Sequence, residues 1–225
     1  MIKTNNLFDK FFNKTIIQQL QDDFATKTGV ASIISDLKGK PYTKPSNFSK
    51  LCGYIRDSPK GGANCIYSDG LIGKQASRKR PHIQPCLSGG LWDAGACMYV
   101  GDIHVANWLV GQVMNETQNL TKMMDYARKI DIDEEKFSEA LTQVTIMSEE
   151  QFNHICQALF IFANAISECA AYEKDLSVSE LEILLQNRKT ELMNLIAQEP
   201  ILEAILPIWD TLEMAARAYQ LAPIL

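Results

Sequence analysis

The sequence contains no long uninterrupted hydrophobic run. Its most apolar stretch, residues 158–166, is broken by Asn164 and is far short of the ~20 residues that a transmembrane helix needs. The first residues, MIKTNNLFDKFF, lack the continuous apolar region and the small-residue cleavage site of a secretory signal. We therefore expect a cytoplasmic protein that makes no membrane contact.

An excess of positive charge is missing as well. The chain has 22 Lys and Arg residues against 27 Asp and Glu residues, a formal net charge of −5, so it has no overall electrostatic preference for nucleic acid. One basic segment, residues 74–80 (KQASRKR), has no aromatic side chains interleaved with its charges, and we interpret it as the solvated end of a helix. We expect no direct contact between this chain and nucleic acid.

Signatures of catalysis are also lacking. The glycine pairs at 61–62 and 89–90 do not belong to a phosphate-binding G-x-x-x-x-G-K-[ST] pattern, and Ser88 lacks the first glycine of a G-x-S-x-G motif. A cysteine nucleophile with His82 or His104 as its base is the enzymatic alternative that remains. We expect no enzymatic activity.

What the sequence does contain is a central stretch, residues 86–113 (CLSGGLWDAGACMYVGDIHVANWLVGQV), whose side chains suggest more than packing. Two apolar runs are joined by Gly101-Asp102, a dipeptide that readily takes positive φ, so the stretch is predicted to form an antiparallel β-hairpin. Side chains on one face of a strand recur every second residue. The residues that we expect to face a cavity from this hairpin are Trp92, Cys97, Trp108 and Gln112.

Read together with Cys52 and with residues 56–65, which run from Arg-Asp-Ser-Pro-Lys-Gly to Cys65, this stretch resembles the PocR-type sensory domain. The matching residues in the hairpin region are Cys86, Gly90-Leu91-Trp92-Asp93 and Gly111-Gln112-Val113. The resemblance covers about residues 7–118. It implies a variant of the PAS-like α+β fold, found in bacterial and archaeal regulators and associated with the binding of small hydrocarbon derivatives such as propanediol.

One departure from the family pattern concerns the third cysteine. Family members typically read Cys-His-x-Gly-Leu at this position, whereas Cys86 is followed here by Leu-Ser-Gly-Gly-Leu. The histidine is missing, and any role that the family gives it does not carry over to this chain.

The expected fold is α+β, with a PAS-like antiparallel sheet and covering helices over residues 1–118, followed by a helical C-terminal extension. Helical periodicity over residues 13–28 ends at Gly29, which can take the left-handed conformation that stops a helix. A β-branched strand at residues 30–35 and a second strand that starts at Pro41 follow.

Two short helices are predicted next, over residues 48–55, with Ser46 or Asn47 as N-cap, and over residues 63–78. In PAS-like sensors, helices of this kind form a lid over the sheet. The resemblance therefore implies that the lid and the hairpin bring together three cysteines, Cys52, Cys65 and Cys86.

The six cysteines of the chain have two interpretations. In the reducing cytoplasm they indicate metal binding, ligand contact or burial rather than disulfides. Cys52, Cys65 and Cys86, with Cys97 or His82, would supply the four ligands of a zinc site, and an iron–sulfur cluster is a further alternative. No pair has the short C-x₂₋₄-C spacing of a structural zinc site, so we favour buried thiols that line a pocket and no cofactor. The alternative function is a metal- or redox-responsive regulator.

The resemblance and the polar residues of the hairpin together predict a site for a small organic ligand. Asp93 and Gln112 lie in an apolar context, and a hydroxylated ligand such as a diol or an alcohol would supply their hydrogen-bond partners. Alternatively, Asp93 caps a turn or pairs with Arg56, and the tryptophans are simply core aromatics. The predicted ligand-binding residues are Cys52, Cys65, Cys86, Trp92, Asp93, Trp108 and Gln112. The predicted function is that of a sensory domain in a prokaryotic signal-transduction or transcription regulator.

The rest of the chain is predicted to be helical. Residues 119–175 are expected to pack on or extend the sensory domain, and residues 176–225 to form a helical signalling and dimerisation extension. The extension has the a/d spacing of a coiled coil, which favours a homodimer; its members are Val178, Leu181, Leu185, Arg188, Leu192 and Leu195. Residues 201–225 are too few for the AraC-type DNA-binding region that usually accompanies PocR-type domains. We therefore expect the output module to lie outside this sequence, or the sequence to be a fragment.

Overall fold

The computed structural model describes residues 4–115, 117–175 and 178–217, and within them helices cover both faces of a sheet. The helices are α1 (Thr4–Phe11), α2 (Lys14–Thr28), α3 (Lys50–Asp57), α4 (Pro59–Gln75), α5 (Leu120–Lys129), α6 (Glu134–Leu141), α7 (Glu149–Asp175), α8 (Val178–Ile196) and α9 (Leu206–Arg217), with a 3-10 helix at Pro200–Ile205. The strands are β1 (Ala31–Ser35), β2 (His82–Pro85), β3 (Trp92–Val100), β4 (Ile103–Met114) and β5 (Thr145–Ile146).

The sheet has the strand order β1-β4-β3-β2 with antiparallel neighbours, and the short β5 runs parallel to the end of β4. β3 and β4 form the predicted hairpin, and Gly101 at its turn has a φ of 55°. An open, mainly antiparallel sheet covered by helices is the arrangement of a PAS-like α+β fold. The predicted fold class is therefore confirmed.

The first elements show how local sequence sets their ends. The Oδ1 atom of Asn13 accepts hydrogen bonds of 3.1 and 3.3 Å from backbone N–H groups in the first turn of α2, and the helix ends at Gly29, whose φ is 76°. The strand that follows is β1, as predicted. The second strand predicted from Pro41 is wrong: Pro41 forms only an isolated bridge with Ser35, because proline has no N–H to donate to a ladder.

Both predicted lid helices form, with shifted ends. The N-cap of α3 is Ser49, not Ser46 or Asn47, and its hydroxyl accepts a hydrogen bond of 3.2 Å from the N–H of Cys52. Ser58 is at once the C-cap of α3 and the N-cap of α4, and a proline occupies the first position of α4, where its fixed φ suits a helix start. The two helices are therefore joined without a loop between them.

The two faces of the sheet bury different side chains. We call the face that packs on α2 and α7 the core face; its residues include Ile34, Ala94, Ala96, Met98, Trp108 and Val110. The opposite face lies under α3 and α4 and is called the lid face; its residues include Ile33, Asp93, Gly95, Asn107 and Leu109. Gly95 lets α4 lie close to the sheet, because a Cβ at this position would come within 2.9 Å of Ile72.

The C-terminal helices pack back on the rest of the chain. α8 packs along α7, and the 3-10 helix and α9 contact α2. The predicted a/d residues of the extension, here called the leucine stripe, lie on a helix, but Leu181, Leu185 and Leu192 are buried in this chain's own core. Arg188, its polar member, forms an ion pair with Glu168 of α7, and the side chain of Val178 lies outside the described residues. The stripe is thus occupied within one chain, and the homodimer stays a prediction.

Two further expectations concern the chain as a whole. No helix within the described residues is long and apolar enough to span a membrane. The division of the chain near residues 118 and 175 stays a prediction; in the structure, α7 covers the core face of the sheet.

Candidate ligand-binding site

A β-bulge at the end of β4 organises the polar part of the lid face. The pairing of β3 with β4 shifts register between Trp92 and Asp93, and Gln112 in the bulge takes a φ of 59°. The backbone N–H of Gln112 donates a hydrogen bond of 2.9 Å to Oδ1 of Asp93. Residue 111 has to be glycine here, because a Cβ would overlap this same Oδ1. The bulge therefore places Asp93 and Gln112 side by side.

The side chain of Gln112 connects the sheet to the lid. Its Oε1 accepts hydrogen bonds of 2.8 and 3.0 Å from the backbone N–H and the hydroxyl of Ser49. Ser49 is also the N-cap of α3, so the residue that begins the first lid helix is held by the sheet. Any movement of α3 away from the sheet has to break these two bonds or carry Gln112 with it.

A buried ion pair joins the two lid helices. Arg56 of α3 and Asp69 of α4 approach to 2.8 Å between Nη2 and Oδ2, and Asp69 is only 5% exposed. The guanidinium carbon lies 5.1 Å from the centre of the Phe48 ring. The Nε of Arg56 is buried and has no hydrogen-bond partner, although buried donors normally have one. Arg56 therefore pairs with Asp69, and not with Asp93 as one alternative from the sequence suggested.

These polar groups surround a small cavity between the sheet and the lid. Its volume is about 20 Å³, which is room for about one water molecule. Its polar lining includes Arg56, Asp69, Asp93 and Gln112, and its apolar lining includes Ile33, Phe48, Ile72 and Leu109. The cavity is too small for an organic ligand, so binding there requires α3 and α4 to move away from the sheet.

Burial changes the acidity of Asp93. Desolvation raises the pKa of its carboxyl group to about 7, against the opposing effect of the hydrogen bond from the Gln112 N–H. The nearby carboxylate of Asp69 raises this pKa further, whereas the thiol of Cys86 and the guanidinium of Arg56 lower it. Near neutral pH the carboxyl group therefore populates both of its forms. The ionised form accepts hydrogen bonds only, and the protonated form can also donate one.

A second buried nitrogen without a partner lies next to Asp93. Gln84 of β2 is the register partner of Asp93. Its Oε1 lies 3.0 Å from Nε2 of His82, and its own Nε2 is buried without a hydrogen-bond partner. Two unpartnered donors, from Gln84 and Arg56, thus lie in the neighbourhood of one carboxyl group.

The three predicted cysteines gather around Asp93. Burial raises the pKa of the Cys52 thiol to about 12 and also raises those of Cys65 and Cys86, with the charge of Asp93 adding to each rise. Cys65 donates a hydrogen bond of 3.3 Å to the hydroxyl of Ser88. Such thiols stay protonated at neutral pH. Among the described residues, no three or more His, Cys, Asp or Glu side chains are placed to hold a metal ion.

A wider cleft lies on the other side of Cys86. It has a volume of about 560 Å³ and runs between residues 85–90 and α5. The hydroxyls of Ser88 and Tyr126, which both line it, are 2.7 Å apart. Cys86 lines this cleft, and its thiol interacts electrostatically with Asp93, which lines the small cavity, so Cys86 lies between the two spaces.

The two predicted tryptophans lie apart from this group. Trp108 is fully buried in the core face, where its ring contacts Phe24 and Phe162 edge-on and its Nε1 donates to the hydroxyl of Ser32 at 2.8 Å. Trp92 lies at the end of β3, and its ring packs against the same core. Cys97 is on the lid face but bonds to the backbone of α4. The structure therefore brings Cys52, Cys65, Cys86, Asp93 and Gln112 together and does not bring the tryptophans to them.

Several site residues escaped the sequence prediction. Asp69, Phe48, Ser49 and Gln84 were not selected, and Arg56 was considered only as a partner for Asp93. One signal was available: Asp69 is an acidic residue in a helix segment of small and apolar residues, IYSDGLIG. Such a residue needs a partner when that helix is buried.

Comparison with known proteins identifies relatives. A family model described as the sensory domain found in PocR matches residues 10–171. The regulatory protein PocR of Salmonella typhimurium (strain LT2) is 23% identical over 159 residues, which are 70% of this chain and 51% of that relative. The chain thus spans about half the length of the curated relative that it matches. No solved structure matches the chain. The resemblance seen in the sequence is confirmed.

Proposed function

This chain belongs to the family of PocR sensory domains, and on that premise we propose that it binds a small hydrocarbon derivative, a diol or an alcohol, on the lid face of its sheet. In this proposal the protein is a non-enzymatic sensory module of a cytoplasmic prokaryotic regulator. The observation that supports it most is the polar cluster around Asp93, in which the Nε of Arg56 and the Nε2 of Gln84 are buried without partners.

The hydrogen-bonding groups of the cluster match a hydroxyl. A hydroxyl both accepts and donates, so it would accept from Arg56 and donate to Asp93, which both line the cavity. The hydrocarbon part would contact the apolar side of the cavity, where Phe48 and Leu109 lie. A carboxylate ligand fits less well, because Asp93 and Asp69 are already two acidic groups in one small space.

Entry of the ligand is proposed to begin at the cleft beside Cys86. The cleft, at about 560 Å³, has room for a small organic molecule, whereas the cavity behind Cys86 has room for about one water. Binding would therefore favour an arrangement in which the lid helices stand further from the sheet. The bonds between Gln112 and Ser49 couple this movement to β4, and α7 packs on the other face of the same sheet. Signalling requires that the ligand bind the two arrangements with different affinity.

The three cysteines are proposed to be apolar lining of this site rather than metal ligands. Cys65 belongs to an apolar cluster that also contains Leu51 and Ile55, and Cys52 packs against it, an environment that suits buried thiols. Elemental analysis of protein purified without chelator should find no stoichiometric zinc or iron. One zinc or a set of irons per chain, lost in Cys86→Ala, would instead support the metal-responsive function and would displace the organic ligand.

Ligand binding is tested by thermal unfolding of the full chain with 1,2-propanediol and a series of short alcohols. Saturating ligand at a hundred times its Kd should stabilise the protein by about 2.7 kcal/mol. Asp93→Ala, which removes both carboxyl oxygens, should lose this response, and Asp102→Ala, at the exposed hairpin turn, should keep it. If no diol or alcohol stabilises the protein, or if Asp93→Ala responds like the wild type, the proposal fails.

A homodimer formed through the C-terminal helices is also proposed. The leucine stripe is used within the chain, but Ile183 and Met193 are exposed on α8, at 60% and 46%. Light scattering over a range of concentrations should give twice the mass of the chain, and Ile183→Glu should reduce it to one chain. A monomeric mass at all concentrations would contradict the proposal.

A further inference from the structure

A second cavity lies away from the lid-face site. Its volume is about 180 Å³, and it forms where the ends of β3 and β4 meet the first turns of α7. Its apolar walls are Ile83, Trp92, Val113, Met147 and Phe152. Its lining shares no residue with the small cavity around Asp93 or with the cleft beside Cys86.

We propose that this cavity is a binding site for an uncharged molecule with a single aromatic ring. An apolar cavity of about 150 Å³ is large enough to bind benzene. The observed volume of about 180 Å³ therefore holds one ring with one small substituent. A second fused ring carrying substituents would not fit without a change in the walls.

The chemistry of the walls favours an aromatic occupant. Trp92 and Phe152 offer rings for edge or offset contacts, and Met147 offers a polarisable thioether. The indole Nε1 of Trp92 is already bonded to Asn115 (3.3 Å) and Thr117 (3.2 Å). These two bonds fix the ring in place and leave its carbon surface to the ligand.

The polar groups of the lining exclude a negatively charged ligand. They are the amides of Asn115 and Asn153 and the carboxylate of Glu149, so the described lining contains one acidic group and no basic one. A carboxylate placed here would lose its water without gaining a cation. A hydroxyl, in contrast, has amide partners at the edge of the cavity. Phenol should therefore bind and benzoate should not.

The position of the cavity gives its occupant direct contact with α7. Glu149, Phe152 and Asn153 belong to the first turns of that helix, which goes on to cover the core face of the sheet and to pack on α8. An aromatic molecule bound here acts on α7 without passing through the lid. The cavity is thus an input separate from the diol or alcohol site.

The test uses the full chain labelled with 5-fluorotryptophan and phenol as the probe. The sequence has three tryptophans, and the ¹⁹F resonance of Trp92 is assigned by its loss in Trp92→Phe. Phenol should shift the Trp92 resonance in a saturable manner and by more than those of Trp108 and Trp209, which are both fully buried. Benzoate at the same concentrations should leave all three unmoved. Phenol that shifts no resonance, or only those of the buried pair, would overturn the proposal.

A cavity-filling variant and a matched control complete the test. Asn153→Phe places a ring in the cavity and should weaken phenol binding at least tenfold, whereas Asn187→Phe, at an exposed position of α8, should bind phenol as the wild type does. Unchanged binding in Asn153→Phe would refute the site. If this variant does not fold, the contrast between phenol and benzoate at the Trp92 resonance of the wild type decides the question.

Discussion

The carboxyl group of Asp93 should make the stability of this domain depend on pH, and Asp93→Asn should remove that dependence. The substitution keeps the size of the side chain and keeps an oxygen to accept the Gln112 N–H, now bonded at 2.9 Å. It removes a carboxyl group whose pKa burial raises from 3.8 to about 7.

The sign and the size follow from the linkage between protonation and folding. Below about pH 4 the group is protonated in both the folded and the unfolded chain, so its ionisation does not change the free energy of unfolding. Between pH 4 and 7 the unfolded chain loses the proton while the folded chain keeps it, so stability falls by up to about 1.4 kcal/mol per pH unit. Above pH 7 the full cost of about 4 kcal/mol is present. Asp93→Asn, neutral at every pH, should therefore match the wild type near pH 4 and exceed its stability by up to about 4 kcal/mol at pH 8.

The assay is urea unfolding of the wild type and the variant at each unit from pH 4 to pH 8. Taking the difference between the two proteins cancels the contributions of other groups, and Asp102→Asn controls for the loss of one carboxyl group at an exposed position. Because Asp69, Arg56 and Cys86 interact with Asp93, the midpoint of the change depends on them, but its direction does not. A variant less stable than the wild type at pH 8, or a difference that does not vary with pH, would refute the reasoning.

Three further predictions follow from particular contacts. Arg56→Gln leaves Asp69 buried without its charge partner and should lower the free energy of unfolding by about 3–5 kcal/mol, measured with urea. The double variant Arg56→Gln, Asp69→Asn should recover most of this loss. Equal losses in the single and the double variant would contradict the buried ion pair. Gly111→Ala should lower the stability by about 1–3 kcal/mol because its Cβ meets Asp93, whereas Gly53→Ala, with open space at its Cβ, should raise it by about 0.5–1 kcal/mol. Calorimetry measures both changes. A Gly111→Ala variant as stable as the wild type would disprove the tight packing of the bulge. Leu185→Ala should cost about 2–5 kcal/mol in urea unfolding, because Leu185 is buried in this chain's own core; a loss below about 1 kcal/mol would contradict that burial.

The site was partly predictable, because residues by which the family is recognised in the sequence also form the cluster around Asp93. Cys52, Cys65, Cys86, Asp93 and Gln112 were all selected from the sequence, and the structure brings them together. The faces of the hairpin were harder to assign, since the bulge at Gln112 breaks the two-residue alternation that the prediction relied on. The ion pair of Arg56 with Asp69 depends on how two helices lie against each other, which no local pattern encodes.

Local sequence determined where several helices and turns begin and end, because these features depend on residues a few positions apart. They are the N-cap at Asn13, the helix end at Gly29, the hairpin turn at Gly101 and the helical period of the leucine stripe. Tertiary structure decided which of two neighbouring serines caps α3. Ser49 caps α3 while the hydroxyl of Ser46 accepts from Gln21, although both serines suit the role. It also decided what the leucine stripe packs against. An amphipathic helix requires an apolar partner, but the free energy of burying Leu185 is the same against its own α7 as against a second chain, so only the folded structure distinguishes the two.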